Sequence, residues 1–450
     1  MKLHQDLELK FKRFKSDPRA WPSFLALLAL FLLSLPAELL CNVRPILLVV
    51  DDQWFFPVFV TYTEQDFGGR RPIEPDYKSE DFMRLLRGEP VRPSTEETPA
   101  SSGEGTLSLG LDDFEEDLPA GPGLVLGLED FADELEGASP DEGLVLDESD
   151  FEEELAPTPG ATAATPAPAG NSPPGQPRKV WMLWPPVRYD YKYIPTTSRT
   201  GQVALAAPYE TFSPHLNRVI PSSWVDGHYL GTDDRGRDVL ARLVYGFRIS
   251  MIFGLSLAVT GTILGCIIGG IQGYFGGWVD LIGQRLTEIW GSIPRLYILI
   301  ILSAFLVPSA LLLFLILNLT AWMGIAAYIR AEFLKGRNLD YVKAARSLGV
   351  TDAVIMRRHI LPNSLTPVIT FFPFEVTAGI LALVSLDFLN LGVPSPAPSI
   401  GELLAQGKNN LQAIWILLPT FLVLTSTLTL LTFVGDGIRN AFDPKKSLIK

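Results

Sequence analysis

Runs of about 20 apolar residues constrain this sequence more than any other feature, because a helix of that length crosses a hydrocarbon layer roughly 30 Å thick. Inside such a layer every backbone polar group must be satisfied within the segment itself, which helices achieve. The runs lie at 21–42, 249–271, 286–306, 309–327, 368–390 and 413–434. The sequence therefore predicts an all-α polytopic membrane protein with six transmembrane helices in a lipid bilayer.

Basic residues predict the orientation of these spans. Lys and Arg are concentrated in residues 1–20, in the loop 330–365 and in residues 436–450. Cytoplasmic loops carry an excess of Lys and Arg, and alternating six spans place all three basic segments on one side. The first run is also longer than the apolar region of a cleaved signal peptide. We expect a cell inner (cytoplasmic) membrane protein with cytoplasmic N- and C-termini.

The expected organisation follows from these spans. Residues 1–20 form a basic cytoplasmic N-terminus, and the first helix covers 21–42. The rest divides into extracytoplasmic segments at 43–88 and 178–248, a disordered acidic and Pro-rich insert at 89–177, a core of the remaining five spans at 249–435 with the loop 330–365, and a cytoplasmic C-terminus at 436–450.

The stretch 236–250 has apolar residues at intervals of three and four, which is typical of an amphipathic helix at a membrane interface. Arg237, Arg242 and Arg248 lie on the side that the topology makes extracytoplasmic. Long basic side chains reach interfacial water by snorkelling, and we expect these three to do so. The helix either anchors the chain or takes part in gating.

The insert at 89–177 carries 22 Asp and Glu residues and one basic residue, Arg92. Dense like charge with many Pro residues predicts disorder. An acidic pattern of Asp-Phe followed by Leu recurs at 113–118, 130–135 and 150–155. This repetition indicates either a duplicated solvated spacer or a set of linear motifs that dock a cationic partner.

Sequence patterns for nucleotide, metal and redox chemistry are absent. No G-x-x-x-x-G-K-[ST], H-E-x-x-H or C-x-x-C pattern occurs, and Cys41 and Cys266 lie at or inside apolar runs. The basic residues flank apolar spans and form no soluble patch, so no nucleic-acid partner is expected. We expect neither catalysis nor a cofactor.

The loop segment 340–362 carries the clearest functional pattern. Ala344 and Ala345 are small, Gly349 ends a helix, and Thr351 with Asp352 begins another. The pattern predicts two short helices joined by a Gly turn, too polar for a span. Such an element either docks in the groove of a partner or serves as an ordinary connector.

Three sequence patterns together resemble a known family. Segment 340–362 resembles the E-A-A-x-x-x-G…L-P coupling loop of binding-protein-dependent ABC importer permeases: Ala344, Ala345, Gly349, Leu361 and Pro362 match, and Lys343 stands in place of Glu. Residues 231–238 resemble the G-T-D-x-x-G-R-D pattern of dipeptide and oligopeptide permeases. Stretches within 44–69 and 385–410 resemble Yej-type permeases of peptide and microcin C uptake. The resemblance covers 1–88 and 178–450.

The resemblance implies half of a translocation pathway for peptides or peptide-like compounds. Its implied partners are a second permease subunit, cytoplasmic ABC ATPase subunits and an extracytoplasmic peptide-binding protein. ATP hydrolysis would belong to the ATPase, and the loop 340–362 would couple that hydrolysis to the transmembrane helices.

Charged residues inside spans are functional candidates. Glu375 and Asp387 lie in or near the fifth span, and we consider both as residues of the pathway. Glu375 could equally be a residue at the cytoplasmic interface of the membrane. An ion-coupled secondary transporter is the alternative function, and it requires carboxylates in the middle of spans. A membrane-anchored sensor is a third possibility, which predicts no coupling loop.

Overall fold

The computed structural model describes residues 2–69, 71–88, 179–196, 198–213, 217–306 and 309–442. The acidic insert 89–177 and the C-terminal lysines beyond residue 442 lie outside these described residues. Within them the chain is mostly helical, and long apolar helices pack beside a small β-subdomain.

The helices occupy the following ranges: α1 Lys2–Ser16, α2 Ala20–Ser34, α3 Ala37–Leu40, α4 Glu80–Arg87, α5 Val239–Phe275, α6 Gly277–Ser292, α7 Arg295–Phe305, α8 Ala310–Gly336, α9 Asp340–Ser347, α10 Asp352–Val354, α11 Leu361–Phe388, α12 Ile400–Asn409 and α13 Ile414–Phe442. A π turn, Ile355–Ile360, joins α10 to α11, so that Asp352–Phe388 runs on as one helix.

Four helices of the described chain are long and apolar enough to span a membrane: Val239–Phe275, Ala310–Gly336, Asp352–Phe388 and Ile414–Phe442. The predicted spans at 249–271, 309–327, 368–390 and 413–434 lie within or nearly within them. The first predicted span, 21–42, corresponds to the shorter apolar helix α2, followed by α3.

The predicted third span, 286–306, is not one helix. The chain breaks between α6 and α7, where Ile293 and Pro294 adopt extended backbone with ψ of 118° and 126°. Proline lacks the N–H that a helix needs, and it disfavours helical backbone in the residue before it. Pro294 therefore divides this apolar stretch into two shorter helices.

Close packing between α5 and α8 forms the centre of the helical bundle. Gly261, Gly265, Gly269 and Gly273 recur every four residues on the face of α5 that meets α8. A Cβ atom on Gly269 would lie 2.3 Å from the carbonyl oxygen of Ala326. Such a stripe of small residues lets two helix backbones approach closely in an apolar environment.

The segments 43–88 and 178–248, which were predicted to be extracytoplasmic, contain strands, and this corrects the all-α expectation. Strands β1 Leu47–Val50, β2 Gln53–Phe55 and β3 Val180–Leu183 form an antiparallel sheet in the order β2-β1-β3. A second pair comprises β4 Thr211–Ser213 and β5 Arg218–Ile220.

The three-stranded sheet and α4 share a core of aromatic and aliphatic side chains, and together they form the β-subdomain. Leu48 and Val50 alternate with less buried neighbours and point into this core, as expected for a strand covered on one face. β1 pairs with β3 across the insert, and periodicity within either strand alone does not reveal that partner.

The predicted interfacial helix at 236–250 is not a separate element. Its residues from Val239 onward form the first turns of α5, which runs unbroken for 37 residues. Asp238 begins this helix, because its carboxylate accepts a hydrogen bond of 2.7 Å from the Ala241 N–H.

Candidate functional site

The segment 340–362 forms two helices joined by a glycine turn, as predicted. Gly349 has φ of +76°, a backbone conformation that favours glycine. Its N–H donates to the Arg346 carbonyl (3.0 Å), and the Val350 N–H donates to the Ala345 carbonyl (3.1 Å). These bonds satisfy carbonyls at the end of α9 and turn the chain sharply into α10.

One face of this segment packs against the rest of the chain. Val342 and Ala345 are buried in a cluster with Ile355 and Ile360. The same cluster contains side chains of α5 and α8, among them Phe333, so that the segment rests on the ends of two long helices. Burial of these aliphatic groups fixes its position without a partner.

The opposite face of the segment is exposed. Lys343, Ala344 and Gly349 are all exposed, and Leu348 at the tip is 83% exposed. Lys343 forms an ion pair of 3.6 Å with Asp340, and both side chains are in contact with solvent. An exposed pair of this kind contributes little to stability, typically less than about 1 kcal/mol.

The six residues predicted for the coupling loop thus differ in whether they are exposed or buried. Lys343, Ala344 and Gly349 lie on the exposed face, whereas Ala345 points into the chain's own core. Leu361 is half-buried and Pro362 is exposed in the first turn of α11. A bulky residue at position 345 would therefore disrupt packing inside this chain, and position 344 is the better place to obstruct a partner. Sequence reasoning did not single out Leu348.

Tyr274, near the end of α5, connects this segment to the helical bundle. Its hydroxyl donates a hydrogen bond to the carboxylate of Asp352, and the guanidinium of Arg346 lies over its ring at 5.2 Å. The two contacts lie on either side of the Gly349 turn. Sequence reasoning missed this residue, because no local pattern connects position 274 with position 352.

The other end of α5 carries a buried network of charges. Arg237 pairs with Asp233 at 2.7 Å, and Arg242 pairs with Glu402 of α12 at 2.5 Å. Arg237 also reaches Glu402 at 3.1 Å. The Arg237 and Arg242 side chains are no more than 2% exposed. They do not snorkel as predicted, because carboxylates from the loop 231–238 and from α12 neutralise them inside the fold.

Arg248 behaves differently from these two arginines. It lies nearer the surface and pairs with Glu38 at 2.9 Å. His228 belongs to the buried side of the region, with its Nδ1 atom 2.8 Å from the carboxylate of Asp238. The loop that carries the G-T-D-x-x-G-R-D pattern thus owes its shape to interactions within the chain.

The two pathway candidates lie far apart. Glu375 is half-buried in α11, where it faces Gly324 of α8. Asp387 is 5% exposed, and it accepts hydrogen bonds from the Ser399 hydroxyl (2.5 Å) and the Val393 N–H (2.9 Å). Glu375 and Asp387 are twelve positions apart, which corresponds to roughly 18 Å along a helix, so they do not form one site.

Comparison with known proteins identifies the family. Residues 261–448 match the family described as "Binding-protein-dependent transport system inner membrane component". The chain is 36% identical over 444 residues to the peptidoglycan transport system permease protein YejE of Agrobacterium fabrum. The aligned region covers 97% of this chain and 93% of that protein. It is 34% identical to the inner membrane ABC transporter permease protein YejE of Escherichia coli, over 98% of each chain.

The chain belongs to the family of binding-protein-dependent ABC transporter permeases. A further relative, the oligopeptide transport system permease protein OppC of Haemophilus influenzae, is 37% identical over 48% of this chain and 70% of its own length. This ABC permease is a transport subunit and not an enzyme, and it is a multi-pass protein of the inner membrane. The family does not support the ion-coupled alternative.

Proposed function

We propose that this ABC permease imports peptides or peptide-like compounds, and that the segment 340–362 couples it to an ATPase subunit. The observation that carries the coupling proposal is the two-sided architecture of that segment. One face is held by the chain's own core, and the other offers Lys343, Ala344 and Leu348 to a partner. The chain contains no phosphate-binding G-x-x-x-x-G-K-[ST] pattern, so the energy of ATP must come from another subunit.

The cargo class rests on the relatives. Their names refer to peptidoglycan, oligopeptide and dipeptide transport. Peptides and peptidoglycan fragments share amide backbones and charged groups. Glu375, half-buried among the bundle helices, is our candidate for contact with the cationic part of such a cargo. For Asp387 we favour a positioning role in the loop after α11, because both of its hydrogen bonds are made within the chain.

The proposed assembly contains a second permease subunit, cytoplasmic ABC ATPase subunits and an extracytoplasmic peptide-binding protein. Leu348 and Ala344 would lie in a groove of the ATPase, with Gly349 giving the turn. Leu361 and Pro362 would transmit movement of this segment into α11, since the helix is continuous from Asp352 to Phe388. ATP binding by the partner would supply the differential free energy that shifts the permease between its conformations.

We also propose a six-span topology with cytoplasmic termini. The four long apolar helices supply four spans, α2 supplies the first, and α6 with α7 together supply the third. The segment 340–362 would then face the cytoplasm. A single cysteine at Ser347, with Cys41 and Cys266 replaced, would react with an impermeant reagent from the cytoplasmic side. One at Ser172 would react from outside, and labelling of both from one side would contradict this topology.

The import proposal is tested in vesicles that contain this chain, a second permease, the ATPase and the binding protein. We expect uptake of a labelled peptide to require ATP, and to continue when ion gradients are dissipated. Ala344→Trp should abolish substrate-stimulated ATP hydrolysis while leaving the amount of inserted chain unchanged. The matched control is Ala353→Trp. Ala353 is exposed on the second helix, and it is not one of the residues that match the E-A-A-x-x-x-G…L-P pattern. Uptake without ATP, or full coupling in Ala344→Trp, would refute the proposal.

A further inference from the structure

A cavity of about 670 Å³ opens beside the β-subdomain, a volume typical of ligand pockets, and none of the transport roles above uses it. It lies between α4, the stretch that follows β3, and the loop around residues 198–229. Its lining combines cationic and aromatic side chains, among them Tyr77, Lys78, Trp184, Arg188, Arg199 and Trp224.

Lys78 supplies a cation whose Nζ atom forms no ion pair or hydrogen bond with the described residues. Within the part of the chain that the structure describes, its Nζ atom is buried and has no hydrogen-bond acceptor. It lies over the rings of Tyr189 at 3.5 Å and Tyr193 at 4.8 Å. Burial lowers the pKa of Lys78 to about 8, because removal from water disfavours the charged form. A bound anion would offset this cost.

The other side chains of the cavity define the rest of the ligand. Arg188 is exposed and lies over the ring of Trp184 at 5.4 Å, while Trp224 is 62% exposed. The one lining carboxylate, Asp226, accepts hydrogen bonds from the Ser198 hydroxyl (2.6 Å) and the Arg199 N–H (3.0 Å). The lining therefore suits a ligand that joins carboxylates to an aromatic or aliphatic group.

The chain itself contains an acidic sequence with phenylalanine residues, at 89–178, and both ends of this sequence are joined to elements that line the cavity. Residues 89–178 leave the described chain after Gly88, at the end of α4, and rejoin it at Lys179, next to β3. Both walls contribute to the lining, through Met83 of α4 and through Trp184 just after β3. The pattern D-F-x-x-x-L recurs between these two points at 113–118, 130–135 and 150–155, with three or four carboxylates in each copy.

We propose that this cavity binds acidic peptide segments that contain phenylalanine, and that the three D-F-x-x-x-L copies of the chain are its ligands. The carboxylates pair with Lys78 and Arg188, and the Phe ring packs on Trp184 or Trp224. Phe114 lies 26 residues after Gly88, and a separation of 26 residues can cover roughly 25–30 Å without full extension of the backbone. Tethering at this distance gives an effective concentration in the millimolar range, which three copies raise further.

The test measures binding, so its outcome is independent of the import proposal. The probe is a fluorescent peptide with the sequence of residues 147–155, added to the purified full-length chain. In a variant with Phe114, Phe131 and Phe151 all replaced by Ser, the tethered copies no longer compete. We expect this variant to bind the probe at least about tenfold more tightly than the natural chain does.

Two substitutions in the cavity, each made in that triple variant, identify the site. Lys78→Met and Trp224→Ala should each weaken probe binding at least about tenfold, and Trp224 is exposed enough to change without loss of folding. Lys192→Met is the matched control, because it removes an exposed positive charge of the same region that does not line the cavity. A probe with Ser in place of Phe should not bind.

Three results would overturn the proposal. The first is no probe binding to the triple variant. The second is equal binding to the triple variant and to the natural chain, which would show that the tethered copies do not occupy the cavity. The third is equal loss of binding in Lys192→Met and Lys78→Met, which would show attraction by net charge alone.

Discussion

The two ends of helix α5 show opposite uses of charged residues. At its beginning, Arg237 and Arg242 are buried and paired with carboxylates of two different elements. At its end, Tyr274 touches a segment whose charged residues, including Lys343, remain exposed. In the first arrangement the charges are paired within the chain, whereas the second leaves an exposed surface. Polar groups that are paired within the fold hold its shape, and those left in solvent remain free to bind.

The largest effect is expected at the buried end. Arg242→Met removes the nearest of the arginines that pair with Glu402, at 2.5 Å, and removal of one member of a buried pair costs about 3–5 kcal/mol. We expect strongly reduced membrane levels and a lower melting temperature in detergent. Arg248→Met, which removes a more exposed pair with Glu38, should cost less than about 1 kcal/mol. Equal losses of stability in Arg242→Met and Arg248→Met would show that the buried and exposed charges contribute equally.

The next effect concerns the glycine turn. Gly349→Val forces a branched side chain into a backbone with φ of +76°, at a cost of about 1–3 kcal/mol. A Cβ atom there would meet no neighbouring atom within 4 Å, so the cost comes from the backbone alone. ATP hydrolysis by the assembled complex should fall steeply while insertion persists. Gly349→Asn is the control, because Asn tolerates this conformation. A fully active Gly349→Val would show that the turn has no part in coupling.

A smaller effect is expected at the contact between α5 and the segment 340–362. Tyr274→Phe removes the hydroxyl, which bonds to Asp352 and also interacts with Arg346, and each such hydrogen bond contributes about 1 kcal/mol. The aromatic ring beneath the Arg346 guanidinium remains. We expect fewer peptides transported per ATP hydrolysed, with an unchanged melting temperature. Tyr341→Phe is a fitting control, since its hydroxyl makes only exposed contacts of 3.4 Å. If both variants transported the same number of peptides per ATP hydrolysed, Tyr274 would have no role in coupling.

The smallest effect on stability is expected at Lys343. Lys343→Ala removes an exposed ion pair with Asp340 and should change the free energy of unfolding by less than about 0.5 kcal/mol. Affinity for the ATPase should nevertheless change, because position 343 lies on the face proposed for docking. Binding of the detergent-solubilised permease to the ATPase provides the measurement. A variant that unfolds readily would show that Lys343 supports the fold.

The segment 340–362 was the part of the site most accessible from sequence. Its helices, its turn at Gly349 and the start of its second helix at Asp352 all follow from local preferences, and the structure confirms them. Local pattern did not show which of Ala344 and Ala345 faces inward. That difference depends on Ile355 and Ile360, which lie later in the same segment, and on side chains of α8, which come from outside it.

The sequence by itself determined the membrane class, the approximate positions of most apolar helices and the glycine turn, because each depends on residues close together in the chain. The tertiary structure showed that the glycines at every fourth position in α5 pack against α8. Tertiary structure alone decided that Arg237 and Arg242 are buried, since Glu402 lies about 160 residues further along the chain. It also decided that β1 pairs with β3 across the insert. Charges and strand edges are satisfied by distant partners, and local sequence patterns do not specify which ones.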